Sequence, residues 1–339
     1  MTPLGQHMRA EIAEAADVFA RAYHTARTPI VATALAQINF AGARAFYTIA
    51  RGSSDAAANI LSYEFMRETG KAMTSLPPSI FSVGRGVDMA GTVTLVISQS
   101  GASDDLVRSA QGARASGGMV IGIVNAAESP VAEVVDLVLP ISAGPEIAVP
   151  ATKSVIGAVA VGMSLLGGLE PDYAGRAAAS VDKITQLRGA ALPEAQALVS
   201  ALLRAQHVYI IGRDTGYGAA QELALKLKET CAIYAEAYSS SEVLHGPFQL
   251  VTKPLLVLIL DTGQADIQAS LDIAEARFRA SGATIFRIRA KDVGATNLTP
   301  AAAAAFLLYL TYPLVLALAI ALGLNPDAPE TLSKVTQTR

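Results

Sequence analysis

The sequence predicts an α/β protein built as two tandem doubly wound halves, each a parallel sheet flanked by helices. Three observations carry this. Short β-branched runs at Val93–Ile97, Met119–Val124, Val208–Ile211, Leu255–Leu260 and Thr284–Ile288 have strand length without polar alternation, as strands buried on both faces do. Amphipathic stretches of helical length, such as Asp104–Ser116 and Ile267–Ala280, lie between them. The chain also repeats itself. FYTIARGSSDAAA around Phe46 matches VYIIGRDTGYGAA around Val208, pairing Tyr47 with Tyr209, Ile49 with Ile211 and Arg51 with Arg213 at one offset (209 − 47 = 162). The same offset joins Thr94–Ile97 to Leu256–Ile259 and Gly101 to Gly263, and Arg-Ala-Ser-Gly recurs at Arg114 and Arg279. An ordered series of this kind marks a duplicated domain.

Taken in order, the chain divides into an N-terminal helix (1–29), a first α/β domain (30–171), a linker helix carrying Pro193 (172–198), a second domain (199–325) and a tail (326–339). Its 339 residues suffice for two cores, and 52% hydrophobic against 16% charged residues excludes a disordered chain. A formal net charge of −3 and the absence of any Lys/Arg-rich run give no footprint for nucleic acid. The single Cys231 excludes an internal disulfide and a four-cysteine zinc site, and makes a reducing cytoplasm the expected compartment. The N-terminal stretch is polar and lacks the apolar core of a signal peptide. Ala301–Leu324 is uncharged and long enough to cross a bilayer. Its alanine run, its Pro313 and the lack of a flanking basic cluster favour a buried helix instead, so no membrane partner is expected.

After the strand Val93–Ile97 comes Ser98-Gln99-Ser100-Gly101-Ala102-Ser103, and then Asp104 and Asp105 open a helix. A strand, a Ser/Gly turn and a helix N-terminus together make an anion site: backbone N–H groups and hydroxyls donate, and the helix dipole favours negative charge. One serine there would serve as a helix cap; three in a tight turn point to a phosphate. Gly52-Ser53-Ser54, after the strand Phe46–Ala50, opens another helix and could converge on the same group. No Gly-x-x-x-x-Gly-Lys-Ser/Thr motif for a nucleotide triphosphate occurs. The corresponding loop of the second half, Leu260-Asp261-Thr262-Gly263, has an aspartate and no serine, and is expected to have lost the phosphate.

On a helix Glu222, Lys226 and Glu229 share one face, which by spacing alone reads as a solvated salt-bridge stripe. A polar loop follows, Ser239-Ser240-Ser241-Glu242-Val243-Leu244-His245-Gly246-Pro247, in which His245 could move a proton at neutral pH beside a carboxylate and a sugar. Lys334 lies in the tail segment Leu332-Ser333-Lys334-Val335-Thr336 and has no catalytic claim from spacing.

Together these motifs resemble the tandem SIS (sugar isomerase) family, and in particular the isomerase half of glucosamine-6-phosphate synthase and the stand-alone glucosamine-6-phosphate deaminases of that fold. The carriers are SQSG at Ser98–Gly101, AGPEIAVPATK at Ala143–Lys153, ELALKLKE at Glu222–Glu229, AEAYSSSEVLHGP at Ala235–Pro247, and the terminal LSKVT. The resemblance implies that Ser54, Ser98, Gln99, Ser100 and Ser103 hold the sugar phosphate and that Val149 lines the sugar. It implies further that Glu229 shuttles a proton between C1 and C2, that Lys226 orients substrate hydroxyls, and that His245 opens the ring, reaching in from a neighbouring subunit. Lys334 would engage the carbonyl, as a Schiff base. A homodimer with shared active sites follows from that arrangement.

Thr2 stands where the family's glutamine-hydrolysing domain carries its catalytic cysteine, so the resemblance implies an enzyme without a glutaminase domain. Ala102 replaces an acidic residue common in the synthases, and Arg51 adds a cation they usually lack. The expected reaction is conversion of glucosamine 6-phosphate to fructose 6-phosphate plus ammonia, with no metal and no cofactor. The alternatives are another phosphosugar isomerase, a fructosamine-6-phosphate deglycase, or a non-catalytic phosphosugar-binding regulator. Such regulators usually add a helix-turn-helix arm, and no basic recognition helix is visible here.

Overall fold

The computed structural model describes residues 3–334. Its first sheet contains β1 (Ala45–Ile49), β2 (Met73–Ser75), β3 (Thr92–Ser98), β4 (Met119–Val124) and β5 (Leu137–Pro140), in the order β2-β1-β3-β4-β5. The second contains β6 (Val208–Gly212), β7 (Ala235–Ser239), β8 (Leu256–Asp261) and β9 (Thr284–Arg289), in the order β7-β6-β8-β9. Every pairing is parallel, with Tyr47 opposite Thr94 in one half and its repeat partner Tyr209 opposite Val257 in the other. The two halves therefore share one strand order as well as one sequence pattern. The fully buried central strands β3, β6 and β8 are among the apolar runs visible in the sequence. β2, β5 and β7 are sheet edges; β2 and β7 carry no continuous apolar run, and β5 is only four residues long and partly exposed.

The halves meet through equivalent helices, Ser53–Thr69 and Thr215–Cys231. Asn59 Nδ2 donates to Gln221 Oε1 at 2.8 Å, and these two residues are themselves repeat partners (221 − 59 = 162). Gly218 permits the close approach, since a Cβ there would lie 2.8 Å from Ile60 N and 3.0 Å from the Ala56 carbonyl oxygen. The uncharged C-terminal segment forms the helix Pro300–Ala321, 83% buried over its most apolar window, against Thr215–Cys231 and Lys153–Leu169. Its apolar composition thus serves the core of this fold, with Pro313 on an exposed face. The separate helix Pro29–Gln37 is an addition to the expected elements, and the linker region forms two helices, Pro171–Gln186 and Ala195–Leu202, on either side of Pro193.

Glu64 anchors the apolar helix. Its carboxyl accepts from the Ala301 amide at 3.1 Å and from the Tyr173 hydroxyl at 2.9 Å, with the side chain fully buried. Burial raises its pKa to about 7, against the hydrogen bonds that pull the other way. A carboxyl whose pKa is raised on folding binds protons more tightly in the native state, so its contribution is complete below about 4.5 and fades as pH rises through about 7. The stability advantage of wild type over Glu64→Gln is therefore expected to be larger at pH 5 than at pH 8, by an amount on the order of 3 kcal/mol. Urea unfolding at the two pH values measures it, and equal differences at both would show that Glu64 does not titrate in this window.

Candidate active site

In a sheet of this order the crevice lies at the carboxyl ends of β1 and β3, where the strand order reverses. β1 delivers Arg51, Gly52, Ser53 and Ser54 to it, and β3 delivers Ser98, Gln99, Ser100 and Ser103. Gly52 enters its helix with φ 54° and ψ −128°, a conformation closed to most side chains. In the β3 loop the Ser98 hydroxyl accepts from the Gly101 amide at 3.0 Å, and the Ser100 hydroxyl accepts from the Ala102 amide at 3.3 Å. Each hydroxyl hydrogen thus stays available to a ligand oxygen. Ser103 occupies the N-cap position of the helix Asp104–Ala115 but makes no side-chain capping bond, contrary to a purely capping role. Gly101 has φ 61°, and a Cβ there would come within 2.1 Å of Ser129 Oγ, so the turn closes only around glycine.

The cleft measures about 340 Å³ and is completed by segments distant in sequence: Val149 and Ala151, Glu229, and the tail residues Leu332, Ser333 and Lys334. Val335 and Thr336 of the tail motif lie outside the described residues. Glu146, buried, organises the Val149 side. Its carboxylate accepts from the Thr152 and Ser154 amides at 3.0 and 3.1 Å and from Ser154 Oγ at 2.7 Å. Lys334 Nζ donates to the Ala148 carbonyl at 2.6 Å and lies 3.5 Å from Glu146. Asp327 ties the tail down further: its carboxylate accepts from the His7 and Met8 amides at 3.1 and 2.8 Å, and its carbonyl accepts from Val149 N at 2.9 Å.

Glu229 reaches the cleft from the last turn of Thr215–Cys231, its side chain 24% exposed. Lys226 behind it is fully buried and donates to Glu229, with Glu222 3.6 Å away on the other side. The Tyr312 hydroxyl donates to Glu222 at 3.1 Å. Burial pushes the Glu222 carboxyl up to about 7 although Lys226 opposes it. Burial pulls the Lys226 ammonium down, but Glu222 and Glu229 outweigh it and hold its pKa above the ordinary value. The spacing that reads as a solvated stripe is thus an interior charge chain, and only its last member meets the cleft. Lys226 does not line the cleft.

His245 is exposed, between the turns Glu242–Leu244 and Gly246–Thr252, and does not line the cleft of its own chain. In the second half the loop equivalent to the serine turn begins at an aspartate engaged by the protein itself. Asp261, 1% exposed, pairs with Arg287 at 2.9 Å and accepts from Gly263 N and Gln268 Nε2, both at 2.8 Å. Arg287 also binds Asp272 and Glu275. A larger groove of about 580 Å³ beside the helix Pro29–Gln37 has Arg27 as its one charged lining residue, and Arg27 donates to the Tyr23 hydroxyl at 2.7 Å.

Glu146, Arg51, Ser333 and Tyr312 were not assigned to the site from the sequence. Glu146 sits inside the Ala143–Lys153 motif, and Arg51 was visible as a departure from the synthases. Nothing in the apolar run around Tyr312 signals its contact with Glu222.

Two parallel α/β halves, one with an open serine-lined crevice and the other with an ion-paired aspartate at the matching loop, define a duplicated α/β protein. The chain belongs to the SIS domain family, which matches residues 39–166 and 201–288. It is 31% identical over 267 residues to the glutamine–fructose-6-phosphate aminotransferase (isomerizing) of Rhizobium leguminosarum bv. viciae, covering 75% of this chain and 44% of that protein. The chain thus spans less than half the length of that curated relative. A crystal structure of a candidate phosphosugar isomerase from Silicibacter pomeroyi DSS-3 superposes with a TM-score of 0.82 at 30% identity, covering 95% of this chain and 99% of the other. A glucosamine-6-phosphate deaminase from Thermotoga maritima shares the fold, with a TM-score of 0.74 at 21% identity over 98% of this chain and all of that one.

Proposed function

We propose that this chain is a phosphosugar isomerase acting as a deaminase, converting glucosamine 6-phosphate and water to fructose 6-phosphate and ammonia. One observation carries the reading: a single cleft holds a serine cradle suited to a phosphate together with an accessible carboxylate and a tethered lysine. Ser53, Ser54, Ser98, Gln99, Ser100 and Ser103 bind the phosphate, and Val149 lines the sugar. With the phosphate fixed, Glu229 takes the C2 proton of the open-chain sugar and returns it to C1, leaving an imine at C2 that water hydrolyses to the ketone and ammonia. Lys226 acts through Glu229, holding its carboxylate in place. That hydrolysis runs through Lys334, whose amine adds to the C2 imine and expels ammonia, and water then hydrolyses the resulting C2 Schiff base to the ketone and frees the lysine.

His245 opens the ring from the partner subunit of a homodimer, a role supported by its exposure and its distance from its own cleft's lining. The test is release of ammonia and fructose 6-phosphate in equal amounts from glucosamine 6-phosphate, by wild type and by mixed dimers of His245→Ala with Glu229→Gln. Each single-variant homodimer is expected to be at least tenfold slower than wild type, and the mixture to regain about a quarter of wild-type activity. No product from wild type would overturn the deaminase reading, and no recovery in the mixture would overturn the shared site.

A further inference from the structure

We propose that Arg51 is an anion-binding residue of this cleft, supplying a fixed cation to the substrate phosphate beside the serine hydroxyls and the helix terminus; this rests on the phosphosugar reading above. Arg51 follows β1 and lines the same cleft as Ser98, Ser100 and Ser103. Its Nε donates to Asp105 Oδ2 at 2.9 Å, and the side chain is 53% exposed. That bond uses one edge of the guanidinium and fixes its plane, while the two terminal amino groups make no bond to Asp105. A guanidinium held in this way can meet phosphate oxygens through two parallel N–H groups with little further ordering.

The charges around the cradle give the cation its purpose. Asp105 is 1% exposed and stands in the first turn of the helix whose N-terminus faces the serines. Asp55, in the first turn of the other helix, accepts from Ser75 Oγ at 3.1 Å; burial raises its pKa, and the charge of Arg51 pulls it back. A phosphate entering the cradle thus approaches two carboxyl groups. Two helix termini, each worth roughly half a unit charge, do not offset both carboxylates and a phosphate together. Arg51 and Lys334 are the only cations lining the cleft among the described residues, and Lys334 is tied to Ala148 and Glu146 on the Val149 side. In the second half the equivalent Arg213 donates instead to Ser239 Oγ at 2.9 Å and Ser241 Oγ at 2.6 Å, so the repeat keeps the residue and changes its task.

Calorimetric titration of the full chain with inorganic phosphate, at low and high salt, tests this. Arg51→Gln is expected to weaken phosphate binding about tenfold and to flatten its salt dependence, with Arg51→Lys retaining most of the affinity. Because Arg51 also neutralises Asp105, the comparison is repeated in an Asp105→Asn background, with thermal melting as the check on folding. If the cation acts on the phosphate, Arg51→Gln still costs about tenfold there. A loss that disappears in that background, or unchanged affinity and salt slope in the single variant, overturns the role of Arg51 and leaves the phosphosugar reading standing. Wild type that binds no phosphate overturns both.

Discussion

Glu229→Gln is expected to lower turnover of glucosamine 6-phosphate about a thousandfold while leaving phosphate affinity within about twofold. Glutamine keeps the size of the side chain and can still meet the Lys226 ammonium through its amide oxygen, but it cannot accept a carbon-bound proton. Among the described residues Glu229 is the one carboxylate that lines the cleft, and Lys226 fixes it from behind. The loss should therefore fall on kcat and on exchange of the C2 hydrogen with solvent. Steady-state kinetics and NMR of C2-deuterated substrate read the two quantities separately. Retained C2 exchange in the variant would move the proton transfer to another group.

Lys226→Met is expected to destabilise the fold by about 3–5 kcal/mol near pH 8, because it leaves Glu222 and Glu229 without their shared cation in the interior. The deficit should shrink toward pH 5. Glu222 already has its pKa raised by burial to about 7 in the presence of Lys226, and loss of the cation raises it further. A protonated Glu222 no longer needs a counter-charge, so the variant recovers stability as pH falls and loses it as pH rises through the folded-state pKa. Urea unfolding at both pH values decides the matter. A deficit of equal size at pH 5 and pH 8 would assign the loss to packing alone.

Much of the fold was legible because its signals are local. A fully buried parallel strand is largely apolar along its length, so Leu95–Ile97 of β3 and Leu256–Leu260 of β8 stand out as aliphatic runs without polar alternation, and the repeat shows the pattern twice. The serine turn was legible for the same reason: its hydroxyls and its glycine fall within a few consecutive residues, and its hydrogen bonds are local. The stripe Glu222-Lys226-Glu229 was not legible in this way. Helical spacing fixes which residues share a face, but whether that face meets water or another helix depends on what packs there, and here the Pro300–Ala321 helix brings Tyr312 onto Glu222.

By itself, then, the sequence determined the duplication, the parallel strands and the serine-rich turn after β3, all properties of short windows or of their recurrence. Only the tertiary structure decided which charges are neutralised and by whom. Arg51 meets Asp105 across 54 residues, Lys153 meets Glu14 across 139, and Lys334 meets Glu146 across 188. It also decided that Asp261 is paired with Arg287 and that His245 stands outside the cleft lining of its own chain. The physical reason is that an ion pair depends on distance and burial in space, and neither is encoded in the spacing of its partners along the chain.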